Sequence, residues 1–276
     1  MTKITGVSLG ADPELFVENK TGEIISAEGM IGGTKNEPKY LTTKADGHAI
    51  QEDNIMVEFN IPPSATEKDF VGHLDFVEEH LNTLLFLNDG CKLNYSASAE
   101  IDPKFLDTPQ ARMFGCEPDF NVHLKEPNNS PNADTNLRTC GGHIHIGYNN
   151  PEIETSENIV YAMDILLGLP SIELDQDNRR KEMYGLAGCF RFKPYGLEYR
   201  SLSNFWLISQ ESKRWAYQQT MKAIELVNSG QIPELIEKYG SDIKKAIDTN
   251  NKTLAKTTIG KIEELLTKKK VATCAE

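Results

Sequence analysis

The chain predicts an α+β fold, a mostly antiparallel sheet with helices on one face. The patterned segments run strand pair, strand, helix, three strands, helix, strands, helices, without the regular strand–helix alternation of a parallel sheet. The strand-like segments alternate charged and apolar residues at period two. Two long stretches instead carry apolar residues at helical spacing.

Residues 5–19 read as a strand, and Lys20-Thr21-Gly22-Glu23 as a turn into a short strand at Ile24-Ile25-Ser26. Residues 27–48 are rich in turn formers and predict a mobile loop. A strand over 54–61 stops at Pro62-Pro63. Ser64 followed by Glu67 has capping-box spacing and predicts a helix to about Leu87, with Phe70, Leu74, Val77, Leu81, Leu84 and Leu85 on one face. Asn88-Asp89-Gly90 ends it. Strands follow at 92–101, 117–124 and 142–148. Ser156 and Glu157 open a second helix, which Pro170 is expected to kink or end. Residues 188–202 form the last strand region, bent at Pro194-Tyr195-Gly196. Helices then occupy 210–228, 231–247 and 252–270. No repeat, low-complexity tract or linker divides the 276 residues, so a single catalytic domain over 1–276 is expected, with 229–276 as its helical extension.

The formal net charge is −12, from 29 basic and 41 acidic residues. This argues against nucleic acid as a partner and is compatible with a site that gathers divalent cations. No apolar run approaches a membrane span and no signal-peptide pattern opens the chain, so a cytoplasmic protein is expected, in host cytoplasm if phage-encoded. Five dispersed cysteines without a C-x-x-C pair argue against a structural zinc site and a disulfide framework, and read as small buried hydrophobes. The Walker loop, the dinucleotide glycine motif, the nucleophile elbow and H-E-x-x-H are all absent.

The strongest motif is Gly141-Gly142-His143-Ile144-His145-Ile146-Gly147. At period two both imidazoles face one side of a strand and both isoleucines the other. Matching alternations put Asp12 with Glu14, Glu58 with Asn60, Glu117 with Asp119, Arg191 with Lys193, and Glu198 with Arg200. Asp12, Glu14, Glu58, Glu117, His143 and Glu198 could converge on divalent cations, and a mainly oxygen donor set suits Mg²⁺ or Mn²⁺ better than zinc. Arg179, Arg180, Arg191, Lys193 and Arg200 crowd a short stretch of an acidic chain and could balance phosphate oxygens or form structural salt bridges.

From about residue 7 to 225 these motifs, in this order, resemble the carboxylate–amine ligases with the glutamine synthetase fold, a group that includes the glutamate–cysteine ligases, and in particular the phage-encoded type 2 COOH–NH2 ligases. The resemblance implies a curved antiparallel sheet like the glutamine synthetase catalytic domain, with helices on its convex face and ATP and Mg²⁺ on its concave face. It implies Asp12 and Glu14 as metal ligands on the first strand, with Asp12 standing where the superfamily often has Glu. Glu58 would bind metal on the next hairpin with Glu52 or Asp53, and spacing parity favours Glu52. His143 would bind metal, His145 would face substrate or phosphate, and Glu198 would be a further metal ligand. Arg191 and Arg200 would contact phosphate or acyl-phosphate, with Lys193 and Arg180 on the nucleotide side. Ser203-Asn204-Phe205-Trp206 stands at the superfamily's Asn-Pro turn, without the Pro.

The expected activity is ATP-dependent ligation of a small-molecule or peptide carboxylate to an amine, with Glu117 or Asp119 taking the amine's proton. A phosphagen-kinase-like phosphotransferase and a non-catalytic binding or assembly protein are the alternatives. The acid, the amine and the oligomeric state stay open.

Overall fold

The computed structural model describes residues 3–112, 119–128 and 136–273. The strands are β1 (Ser8–Ala11), β2 (Glu14–Glu18), β3 (Ile24–Ile25), β4 (Lys39–Tyr40), β5 (Ala49–Asp53) and β6 (Met56–Asn60), then β7 (Lys92–Asn94) and β8 (Ser98–Glu100). They continue with β9 (Phe120–Asn121), β10 (Glu126–Pro127), β11 (Leu137–Thr139), β12 (Ile144–Gly147), β13 (Cys189–Lys193) and β14 (Gly196–Tyr199). The helices are α1 (Glu67–Leu87), α2 (Ile153–Met163), α3 (Leu169–Leu174), α4 (Gln210–Asn228), α5 (Ile232–Asp248) and α6 (Lys252–Thr273).

All strand pairs are antiparallel, as the alternation predicts. One sheet has the order β1-β12-β14-β13-β9-β10, and a second β3-β2-β6-β5-β4, with β7 also on β2. The two meet along the first strand region. β1 pairs with β12 on one side. On the other, Leu9 bridges Ser64 and Ile61 N–H donates to the Ala11 carbonyl at 3.1 Å. β2 then pairs with β6. The result is a curled antiparallel half-barrel.

The face opposite the charged one carries the core. Ile144, Ile146, Leu197 and Tyr199 are all fully buried, and α2 packs on β13 and β14. One hydrophobic core extends from Ile4 to Ile262 and takes in α5 and α6. Burying apolar side chains on one face and leaving the other polar fixes the register, because a one-residue slip would exchange the faces.

Three elements differ from the sequence reading. Helix α1 starts after Thr66, whose Oγ1 accepts from Asp69 N–H at 3.1 Å. Ser64 cannot cap it because its backbone is engaged with Leu9. Pro170 does not end the second helix. The turn before it, Asp164–Gly168, is widened to π geometry, with Leu169 N–H bonding to Asp164 O. Proline has no N–H to offer, and a widened turn gives its ring room within a continuing helix. The strand region 92–101 is split into β7 and β8, which pair with different partners.

Candidate active site

The site is built from rows that run across the strands. In the first sheet Gly10 pairs with His145, His145 with Glu198, and Glu198 with Arg191. Cross-strand partners share a face, so one row brings these groups together from four strands. In the second sheet Glu14 pairs with Glu58, and Glu58 with Gln51. The rows border one cavity of about 490 Å³, lined among others by Asp12, Glu14, Asp53, Glu58, His143 and Glu198. Arg191, Lys193 and Arg200 line it from the first sheet, while Lys35, Tyr40 and Lys44 reach it from the segment around β4.

Glu14, Asp53 and Glu58 each offer an oxygen, all within 4.8 Å of one another. Burial, followed by the charge of Glu14, pushes the Asp53 carboxyl up to about 6. Burial and the charges of Asp12, Glu14 and Asp53 push Glu58 well above the usual carboxylate range. Gln51 Nε2 donates to Glu58 Oε2 at 2.9 Å and leaves its other oxygen for the cluster. Glu14 is fixed at both ends: Gly141 N–H donates to Oε2 at 2.6 Å, and Asn204 Nδ2 donates to its carbonyl at 3.1 Å. Mutually repelling, half-buried oxygens are the donor set a hard divalent cation takes. The fit to Mg²⁺ or Mn²⁺ is good.

A second group, Asp12, His145 and Glu198, also lies within 4.8 Å. Its surroundings are basic. Lys193 Nζ is 2.9 Å from Glu198 Oε2, Arg200 Nη1 contacts Glu198 Oε1, and Arg191 Nη1 is 3.8 Å away. Burial and the charge of Asp12 raise the Glu198 carboxyl, but Arg200, His143 and His145 overcome them and hold it at about 2. Asp12 is likewise held well below the usual range: burial opposes ionisation, and the charge of His145 with hydrogen bonds from His143 and His145 outweighs it. This trio is already charge-balanced, so Glu14, Asp53 and Glu58 form the better cation site.

The two histidines sit differently around Asp12. His145 Nε2 lies 3.0 Å from Asp12, and its Nδ1 is 2.7 Å from the Tyr195 hydroxyl, whose ring stacks on it. That hydrogen bond orients the imidazole toward the carboxylates. His143 Nδ1 lies 3.3 Å from Asp12 and 3.2 Å from Arg200 Nη1. Its Nε2 is buried against Gly141, where an added Cβ would stand 2.2 Å from it. His145 thus lies within 4.8 Å of Asp12 and Glu198, while His143 lines the cavity beside them.

Glu52 is spent elsewhere. Its carboxylate accepts from the backbone N–H groups of Gly29, Ile31 and Gly32 at 2.8, 3.0 and 2.8 Å. The parity that favours Glu52 assumes one continuous strand. A two-residue turn at Asn54-Ile55, with Asn54 at φ 57°, instead pairs Asp53 with Met56 and Gln51 with Glu58. The odd residues of β5 thereby share the face of Glu58. Asp53 joins the site, and Glu52 ties down the loop.

Asp119 is held by Arg200 Nε at 2.6 Å and Arg191 Nε at 3.5 Å. Two guanidiniums occupy it, which makes it a positioning group for them. Arg180 does not line the cavity. It is buried, donates from Nη2 to the Arg200 carbonyl at 3.4 Å, and packs on Gly185. Arg179 stays half-exposed near Glu100 and Asp177. Glu117 lies outside the described residues. Cys91, Cys140 and Cys189 are buried free thiols. The sequence reading missed Gln51, Tyr195, Lys35 and Lys44. The first stands at alternate spacing with Asp53, and the second in a Pro-Tyr-Gly bend whose glycine draws the eye more than its tyrosine.

A carboxylate cluster with the spacing to hold a cation faces a wall of arginine and lysine across one cavity, an arrangement suited to an anionic group between them. Residues 133–266 match the family model described as phage phiEco32-like COOH.NH2 ligase-type 2. That stretch carries His143, His145, Arg191, Glu198 and Arg200, and over it the resemblance drawn from the motifs is shown. Among solved structures, one described as the crystal structure of a novel glutamine synthase homolog is similar, at 11% identity over 95% of this chain and 68% of that chain, with a TM-score of 0.36. No curated protein matches. Among the described residues no helix is long and apolar enough to cross a membrane.

Proposed function

We propose that the chain is an ATP-dependent carboxylate–amine ligase. The observation that carries this reading is the juxtaposition, across one cavity, of the clustered carboxylates Glu14, Asp53 and Glu58 with Arg191, Lys193 and Arg200. The family match over residues 133–266 supports the ligase form of this chemistry over a phosphotransferase.

A carboxylate is a poor acyl donor because its leaving group would be oxide. Attack of one carboxylate oxygen on the γ-phosphorus of ATP expels ADP and gives an acyl-phosphate. An amine then attacks the acyl carbon, loses a proton, and phosphate leaves. Mg²⁺ held by Glu14, Asp53 and Glu58 would neutralise phosphate oxygens. Arg200 and Arg191, oriented by Asp119, would stabilise charge on the transferring group from the opposite wall. His145, Asp12 and Glu198 form the edge where a second cation or the incoming substrate would sit.

The test is release of phosphate from ATP that depends on both an acid and an amine, with products read by mass spectrometry. An amide is expected. A phosphorylated acceptor would establish the phosphotransferase, and silence across a broad panel would sink the ligase reading. Glu58→Gln should abolish turnover without unfolding the chain.

A further inference from the structure

A second depression, unconnected with these residues, lies between the C-terminal half of α1 and the start of α4. It holds about 730 Å³ and is lined by Asp75, Glu79, Phe86 and Leu87 on one side and by Ile208 and Lys213 on the other. Asp75, Glu79, Asn82 and Phe86 recur at helical spacing and share one face of α1.

Two features of this groove mark it as a contact surface. The first is apolar exposure: Phe86 is 73% exposed, Leu87 76% and Ile208 65%, all on one groove. Single exposed apolar residues are ordinary, but three large ones gathered in a concavity mark a contact surface.

The second is negative charge. Asp75 and Glu78 share one lysine, Lys213, at 2.8 and 2.5 Å, and Glu79 stands beside them. Glu78 is 8% exposed and lines the groove, yet its Oε1 has no hydrogen-bond partner among the described residues. Helix α1 also has no basic residue in its last turn.

We propose that this groove docks a basic amphipathic helix of another protein. Its apolar face would cover Phe86, Leu87 and Ile208, and a lysine would reach the exposed Glu79 and the rim carboxylate of Asp75 with its ammonium. A groove between two helices with apolar anchors is the geometry that receives such a segment. Charge decides between occupants. A second copy laid on this face would bring the same acidic groups together, in a chain of net charge −12. A basic partner instead balances a groove in which three carboxylates, Asp75, Glu78 and Glu79, share the single cation Lys213.

The experiment titrates the whole chain against dye-labelled helix-forming peptides and follows fluorescence anisotropy. One peptide presents leucines at i, i+3, i+4 and i+7 with flanking lysines. A second carries glutamate for every lysine, and a third scrambles the first. The lysine peptide is expected to bind at least about tenfold more tightly than either control. The double variant Phe86→Ser/Leu87→Ser should weaken it by about tenfold or more. Both side chains are exposed, so the fold is expected to survive, and an unchanged melting temperature checks this. Glu79→Lys should weaken it too, with a difference that shrinks at high salt. Glu58→Gln should leave binding unchanged, which separates this surface from the proposed activity. Equal binding by wild type and the double variant, or by the lysine peptide and its controls, would overturn the proposal. So would a dimer in sedimentation that Phe86→Ser dissociates, because a second copy would then be the occupant.

Discussion

Asp53→Asn should stabilise the metal-free protein at neutral pH while removing its response to Mg²⁺. Folding moves the Asp53 carboxyl from its usual 3.8 to about 6, first by burial and then by the charge of Glu14. The folded state therefore binds more protons than the unfolded state between those values. Stability from this group is present below pH 3.8 and is lost as pH rises through about 6. Above that window the ionised side chain costs about 3 kcal/mol, reduced to about 1–3 by water in the open cavity. Asparagine has a similar shape and no charge, so the variant avoids that cost. At about 2–4 °C per kcal/mol, the midpoint in chelator should rise by several degrees at pH 7.5 and hardly at all at pH 4. With Mg²⁺ the gap should narrow: at ten times a dissociation constant, the wild type gains about 1.4 kcal/mol that the variant largely forgoes. Thermal denaturation in chelator and in Mg²⁺, at both pH values, measures all four quantities. A variant less stable than wild type in chelator at pH 7.5, or an unaltered Mg²⁺ shift, would refute the assignment of Asp53 to a cation site.

Arg200→Lys keeps a charge but cannot span Asp119 and Glu198 together, and amide formation should fall by about a hundredfold with the melting temperature little changed. Gly141→Ala drives a methyl to within 2.2 Å of His143 Nε2 and should destabilise by about 1–3 kcal/mol in chemical denaturation. His48 Nε2 lies 2.8 Å from His73 Nδ1, tying the β4–β5 hairpin, which forms one wall of the cavity, to α1. Burial holds both below the usual 6.5, aided at His48 by the charge of His73, so their stabilisation is present above pH 6.5 and lost as pH falls below it. Hydrogen exchange at residues 41–48, corrected for intrinsic rates, should quicken below that pH in wild type, and the pH dependence should weaken in His73→Ala.

What the sequence made legible is what period two records. The faces of His143 and His145, of Glu198 and Arg200, and of Arg191 and Lys193 follow from strand geometry and appear as expected, with Ile144 and Ile146 fully buried behind them. The choice between Glu52 and Asp53 was not readable, because it rests on the number of residues in a turn, fixed here by the left-handed Asn54. Thr66 displaced Ser64 as a cap through a backbone pairing with a strand over fifty residues earlier, which no local pattern reveals. That the helix runs on past Pro170 was hidden for a similar reason, since the widened turn that accommodates it is a property of the preceding residues. Lys35 and Lys44 were hidden in a loop read only by its turn formers.

The cross-strand row Gly10–His145–Glu198–Arg191 has a consequence for how the molecule comes together. Its first pairing joins residues well over a hundred positions apart, so no fragment of local structure foreshadows the site. The cost of closing that loop precedes any reward from it, which makes sheet closure a late event. A second cation held by Asp12 with His145 and Glu198 of this row should then slow unfolding and leave the refolding rate nearly unchanged. Metal dependence of the two rates would date the assembly of the site on the folding path.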